Sequence, residues 1–239
     1  MALPKVELPS YEVTIPSSGQ TIRVRPFTVK EEKMLLIAVE SGVQAEIITI
    51  VRQVINNCML DGEIDVDKMP FFDVDYLFIF LRGKSVGETV EVKLTCNNLV
   101  DTGICGHQFV ADMDIANVEL IKEDVEDDIK LGPQTGVKMR YPNYTIMRKV
   151  EELPEIDKKT FIIASSIEYV YDKNGMHSHK DYTAEELKEF VEGLTEENYK
   201  KLENYVDKFP MVATKIDTTC PKCGFEHKVR YTDFFDFFI

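Results

Sequence analysis

A chain of 239 residues, 44% of them hydrophobic, can form one large domain or two small ones with a real core, which excludes general disorder. Lysine and arginine total 28 against 42 aspartates and glutamates, and the resulting net charge of −14 argues against a dominant nucleic-acid footprint and favours solubility, with a basic protein as a fitting partner. No run of about 18 apolar residues occurs, so no membrane-spanning helix is expected.

The opening Met1-Ala-Leu-Pro-Lys-Val-Glu-Leu-Pro has no charged region followed by an apolar one, so no export signal is expected. Tyr11 to Phe27 reads as a hairpin, two alternating runs around Pro16-Ser-Ser-Gly19. Thr28 with Glu31 has the spacing of a capping box, and Met34, Leu35, Ala38 and Val39 then recur at helical spacing up to a stop at Gly42. The charged run Lys30-Glu-Glu-Lys33 is read as the solvated face of that helix. A second helix is predicted from about residue 45 to 59, with Cys58 as a small core hydrophobe, and a third from Asp73 to about Gly83. The third contains Tyr76-Leu-Phe-Ile-Phe-Leu81, whose continuous apolarity suits a buried core helix. A strand over Glu88–Cys96, a loop, and a strand over Cys105–Ile115 close this first part.

An acidic stretch at about 117–127 reads as a linker or an exposed edge. From Asp128 to Pro142 a second hairpin is predicted around a Gly-Pro turn. Helices at about 143–152, 158–168, 184–193 and 196–208 follow, the last two opened by Thr183 with Glu186 and Thr195 with Asn198. Residues 172–180 between them read as a loop, with His177 and His179 as solvated histidines. A strand, the knuckle Cys220-Pro-Lys-Cys223-Gly224, and a strand to Tyr231 end the pattern.

The two parts repeat the same order: hairpin, arginine beside proline, helices, strand, cysteine knuckle, strand. Arg25-Pro26-Phe27 corresponds to Arg140-Tyr141-Pro142. The expected fold is therefore α+β with two pseudo-repeated halves, 1–116 and 128–239, packed with pseudo-two-fold symmetry and joined through residues 117–127 and through a zinc-ribbon-like module.

Five cysteines without an export signal point to metal binding or free thiols rather than disulfides. Cys220 and Cys223, two residues apart and followed by a glycine that permits a tight bend, have the spacing of a zinc knuckle. Cys96 and Cys105, followed by Gly106, can complete a tetrahedral set of four, although eight intervening residues make a longer loop than a standard knuckle. His107 and His227 stand as alternative ligands. Four thiolates close the coordination shell, so the zinc would be structural rather than catalytic, and its binding would be folding energy. No G-x-S-x-G, H-E-x-x-H, Walker A or G-x-G-x-x-G motif is present, and no enzyme is expected. The tail holds Phe234, Phe235, Phe237, Phe238 and Ile239, which either pack on their own core or form an aromatic anchor for a partner. Lys222, Lys228 and Arg230 near the second knuckle keep a second reading open, a zinc-ribbon regulator that binds nucleic acid.

The stretch Ile22-Arg-Val-Arg-Pro-Phe-Thr-Val-Lys-Glu-Glu-Lys-Met-Leu-Leu-Ile-Ala38 resembles the opening of the T4-like bacteriophage baseplate protein family. The order of elements, from the N-terminal hairpin to the second knuckle, extends the resemblance over most of the chain. It implies a hub subunit or hub assembly protein of a contractile tail, made in the host cytoplasm and placed in the virion tail baseplate. Its partners would then be tail hub, tape-measure or neighbouring baseplate proteins.

Overall fold

Alternation drives the first hairpin. The computed structural model describes residues 6–61 and 64–232, and there β1 (Tyr11–Thr14) pairs antiparallel with β2 (Thr21–Val24), Tyr11 opposite Val24 and Thr14 opposite Thr21. Val13, Ile22 and Val24 turn inward while Glu12, Thr14 and Arg23 face water. α1 (Val29–Ser41) opens with the backbone N–H and hydroxyl of Thr28 donating to the Glu31 carboxylate, 2.7 and 2.9 Å, and ends where Gly42 follows. α2 (Gln44–Cys58) buries Val51, Val54, Ile55 and Cys58. α3 (Phe71–Ser85) is apolar on nearly every side, with Phe72, Val74, Leu77, Phe78, Ile79 and Leu81 all buried. Asp73 in its first turn is also buried, and it accepts the backbone N–H (2.9 Å) and hydroxyl of Ser17, which ties the hairpin turn to this helix.

β3 (Thr89–Thr95) follows, then a short ribbon of β4 (Leu99–Val100) and β5 (Gly103–Ile104), then β6 (Gln108–Asp114), which pairs antiparallel with β3 along its length. Within the acidic stretch lies β7 (Glu119–Ile121), an edge strand.

β8 (Asp128–Lys130) and β9 (Gly136–Met139) form the second hairpin. α4 (Tyr144–Glu151) is capped by the Asn143 side chain, and α5 (Glu155–Ser165) follows Pro154. The helix predicted to reach residue 168 stops at Ser165, and residues 172–180 are not a plain loop. β10 (Ile167–Asp172) pairs with β9 and then turns through Asp172-Lys-Asn-Gly175 into β11 (Gly175–Ser178). The physical reason lies in the residues: Ile167-Glu-Tyr-Val-Tyr has β-branched and aromatic strand formers, and Asp172 accepts the N–H groups of Asn174 (2.7 Å) and Gly175 (3.1 Å) to set the turn. α6 (Ala184–Glu192) carries the full Thr183–Glu186 capping box, and α7 (Glu196–Val206) is capped by Thr195. Val137, Met139, Ile163, Ile167, Leu202 and Tyr205 lie at the centre of this region's core.

β12 (Met211–Thr219) and β13 (Glu226–Tyr231) complete the chain's described elements, with strand order β13-β12-β7. The fold is thus α+β, with several small sheets and seven α-helices among the described residues. No described helix is long and apolar enough to cross a membrane.

Two compact units emerge. Among the described residues, one takes the chain up to Val66, Phe72–Ile121 and everything from Met211 onward; the other takes Asp67–Phe71 and Lys122–Pro210. The first unit therefore draws strands from both halves read in the sequence.

Each unit contains the same local device at its arginine. In the first, the Arg25 N–H donates to Cys58 O (2.9 Å), its guanidinium donates to Asn57 O (2.8 Å), and Val24 bridges Met59. In the second, the Arg140 N–H donates to Ser166 O (2.7 Å), its guanidinium to Ser165 O (3.1 Å), and Met139 pairs with Ile167. In both, a strand-end arginine satisfies the free carbonyls at the end of the second helix that follows it, where the helix dipole is negative.

Candidate metal centre

The site begins with backbone geometry. At the end of β3, the Cys96 N–H donates to His107 O (2.8 Å) and the Gly106 N–H donates back to Cys96 O (3.0 Å). After β12, the Cys220 N–H donates to Phe225 O (2.8 Å) and the Gly224 N–H to Cys220 O (2.9 Å). The two patterns are the same: the first cysteine binds the residue two beyond the second cysteine, and the intervening glycine closes the turn. Gly106 and Gly224 have φ of 60° and 72°, the left-handed region that a residue with a Cβ enters only at a cost. The two knuckles thus converge on one shape from loops of eight and two residues. The extra length of the first is taken up by the β4–β5 ribbon, Leu99 opposite Ile104, and by the Cys105 N–H donating to Asn98 O (2.8 Å).

All four predicted cysteines come together, and all lie in the first unit. Their sulfurs lie within 4.8 Å of one another, and Cys96 Sγ is 3.6 Å from Cys223 Sγ. Four thiolates about 2.3 Å from a tetrahedral zinc would stand about 3.8 Å apart, so the donor set fits a metal of that size and preference. Cys96, Cys105 and Cys220 are 0%, 8% and 1% exposed, while Cys223 is half-buried. Burial pushes the Cys96 thiol up to about 12. Cys223 is held down at about 6, first by the Phe225 backbone N–H, with the Asn98 amide acting in the same direction. Phe109 and Val100 pack against the cluster.

The gathered donor atoms are the four cysteine sulfurs, with no histidine nitrogen among them. His107, Phe109, His227 and Phe225 form a string of rings, with centroids 6.2 Å apart for His107–Phe109, 5.6 Å for Phe109–His227 and 4.9 Å for Phe225–His227. The string follows the knuckle symmetry: His107 and Phe225 lie two residues beyond the second cysteine of their knuckle, Phe109 and His227 four. His227 is buried, and its Nε2 has no hydrogen-bond partner among the described residues. Sequence reading did not single out this aromatic layer, although its spacing from each Cys-Gly pair is visible.

Elsewhere, Cys58 is fully buried beside Arg25, and burial pushes its thiol up to about 12. His177 lies on β11 and hydrogen-bonds Tyr182 (3.0 Å); His179 Nδ1 is 2.8 Å from the carbonyl of Glu168. Near the second knuckle the sheet face is mixed: Lys215 stands opposite Arg230 but pairs with Glu119 at 2.8 Å, and Lys228 stands opposite Asp217. Phe234, Phe235, Phe237, Phe238 and Ile239 lie outside the described residues.

A family model described as T4 bacteriophage base plate protein matches residues 8–239. No curated protein and no solved structure matches the chain.

Proposed function

The chain belongs to the T4 bacteriophage base plate protein family, and on that premise we propose that it is a hub subunit or hub assembly protein of a contractile tail. It acts by binding other phage proteins and not by catalysis. The observation that carries this reading is the extent of the family match, residues 8–239. Its partners are hub, tape-measure or neighbouring baseplate proteins, met in the host cytoplasm during assembly and kept in the tail baseplate. The tail Phe234–Ile239 is the aromatic anchor for one of them.

Cys96, Cys105, Cys220 and Cys223 hold one structural zinc in a ribbon-like module. The support is the shared knuckle geometry and the fit of the sulfur spacings to a tetrahedral ion. With four protein ligands no position stays open for substrate, and the ion's contribution is to bring together segments far apart in sequence. We also read the chain as an internal duplication, 1–116 and 128–239 about the 117–127 linker. The paired Arg25 and Arg140 devices and the paired knuckles support it.

Affinity purification of the tagged chain from infected cells, with mass spectrometry of partners and elemental analysis of the chain, tests both parts. Expected are tail proteins and one zinc per chain, and loss of baseplate assembly when residues 233–239 are deleted. Recovery of no tail protein, with normal phage yield from the deletion, would refute the binding role. The nucleic-acid alternative predicts a salt-dependent gel shift with DNA; the mixed charge of the β12–β13 face speaks against it.

A further inference from the structure

The first knuckle is longer than a bend requires, and its extra residues reach the other knuckle. Asn98 is fixed in the first loop by its carbonyl, which accepts the Cys105 N–H at 2.8 Å. Its side-chain amide Nδ2 lies 3.7 Å from Cys223 Sγ, a sulfur of the second knuckle. Cys223 is also the one half-buried residue of the four cysteines, the others being buried. Ligand exchange at a closed thiolate site starts where a proton, chelator or electrophile can reach a sulfur. In this site that sulfur is Cys223, and the side chain that donates to it is Asn98.

We propose that Asn98 is a positioning residue of the metal centre: its amide donates to Cys223 Sγ, holds that ligand in place, and sets the rate at which the ion leaves. The inference rests on the zinc reading given above. An N–H···S bond draws charge off a thiolate, which makes it a poorer target for protons and electrophiles, and partners of this outer kind orient the ligands they touch. The donor belongs to one knuckle and the acceptor to the other, so the bond also links the two knuckles directly.

The test uses the full chain loaded with zinc. Asn98→Leu keeps a side chain of similar size and removes the donor; Asn98→Ala removes both. Zinc release to excess chelator, followed with a colorimetric zinc indicator, is expected to be roughly tenfold faster in both variants. Maleimide labelling mapped by mass spectrometry is expected to modify Cys223 before Cys96, Cys105 and Cys220. In the cobalt-substituted chain, the thiolate-to-metal charge-transfer band of Asn98→Leu is expected to shift while far-ultraviolet circular dichroism stays unchanged, a result that a merely structural role would not give. Zinc uptake with wild-type release rates in both variants, or labelling that begins at another of the four, overturns this inference alone. A chain that takes up no zinc overturns the metal reading and this inference with it.

Discussion

Glu31 shows how one side chain can serve two levels of structure. Sequence spacing identifies it as the acid of the α1 capping box, and the structure has it accept from Thr28 in that role. The same spacing also puts it in a charged run read as a solvated face, and there the structure differs: Glu31 is 6% exposed. Arg25 explains the difference, since its guanidinium donates to both Glu31 oxygens at 2.8 and 2.9 Å and so removes the penalty of an isolated buried charge. First Arg25 and then the Thr28 bonds hold the carboxyl at about 2, well below its ordinary value, despite burial. A group with a lowered folded-state pKa contributes stability above its unfolded value, and that contribution is lost as pH falls toward the folded one. The window here runs from about 4.5 down to about 2. At neutral pH, Glu31→Gln is expected to destabilise the chain by on the order of 3 kcal/mol. Urea unfolding of both proteins should show that gap narrowing as pH falls through the window; a constant gap would mean that the ion pair is not its source.

At the scale of elements, β9 and β10 were only half legible. β9 was expected, since it ends a hairpin with clear turn residues. β10 is hidden because Ile162 to Val170 is apolar enough to read as the tail of a helix, and its strand formers decide for a strand once β9 is there to pair with them. That pairing sets Tyr171 opposite Gly136, and the Tyr171 ring lies where a Cβ on residue 136 would stand. The Tyr171 hydroxyl donates to Asp128 at 2.7 Å, so the ring cannot swing aside without losing that bond. Gly136→Ala is expected to cost about 1–3 kcal/mol by crowding. Tyr171→Ala in the same chain should relieve part of that cost, and a double-mutant cycle by chemical denaturation measures it; full additivity would show that the two do not collide. The knuckles make the complementary case. Their Cys-Gly pairs were legible because the bend needs glycine, whereas the β4–β5 ribbon that adapts the longer loop was not, its strands being two residues each.

For the whole molecule, the consequence of the proposed zinc is global. Its four ligands come from two segments of the first unit, two from Phe72–Ile121 and two from the stretch that begins at Met211, so removing the ion takes away a cross-link between stretches far apart in sequence. Exhaustive chelation is expected to lower stability by about 4 kcal/mol or more, a fall in Tm of roughly 10 °C. Cys220→Ser should reproduce the fall and make the chain insensitive to chelator; a Tm that chelator leaves untouched in the wild type would remove the ion from the account of stability. The helices with capping signals, both leading hairpins, the two Cys-Gly knuckles and the kinship with baseplate proteins are legible from residue order, because each is written in local spacing. That the four sulfurs meet, that β12 and β13 are counted with the first unit, and that Glu31 is buried become visible once the chain is folded. Those outcomes depend on which distant surfaces exclude water together, and no local pattern of residues encodes that.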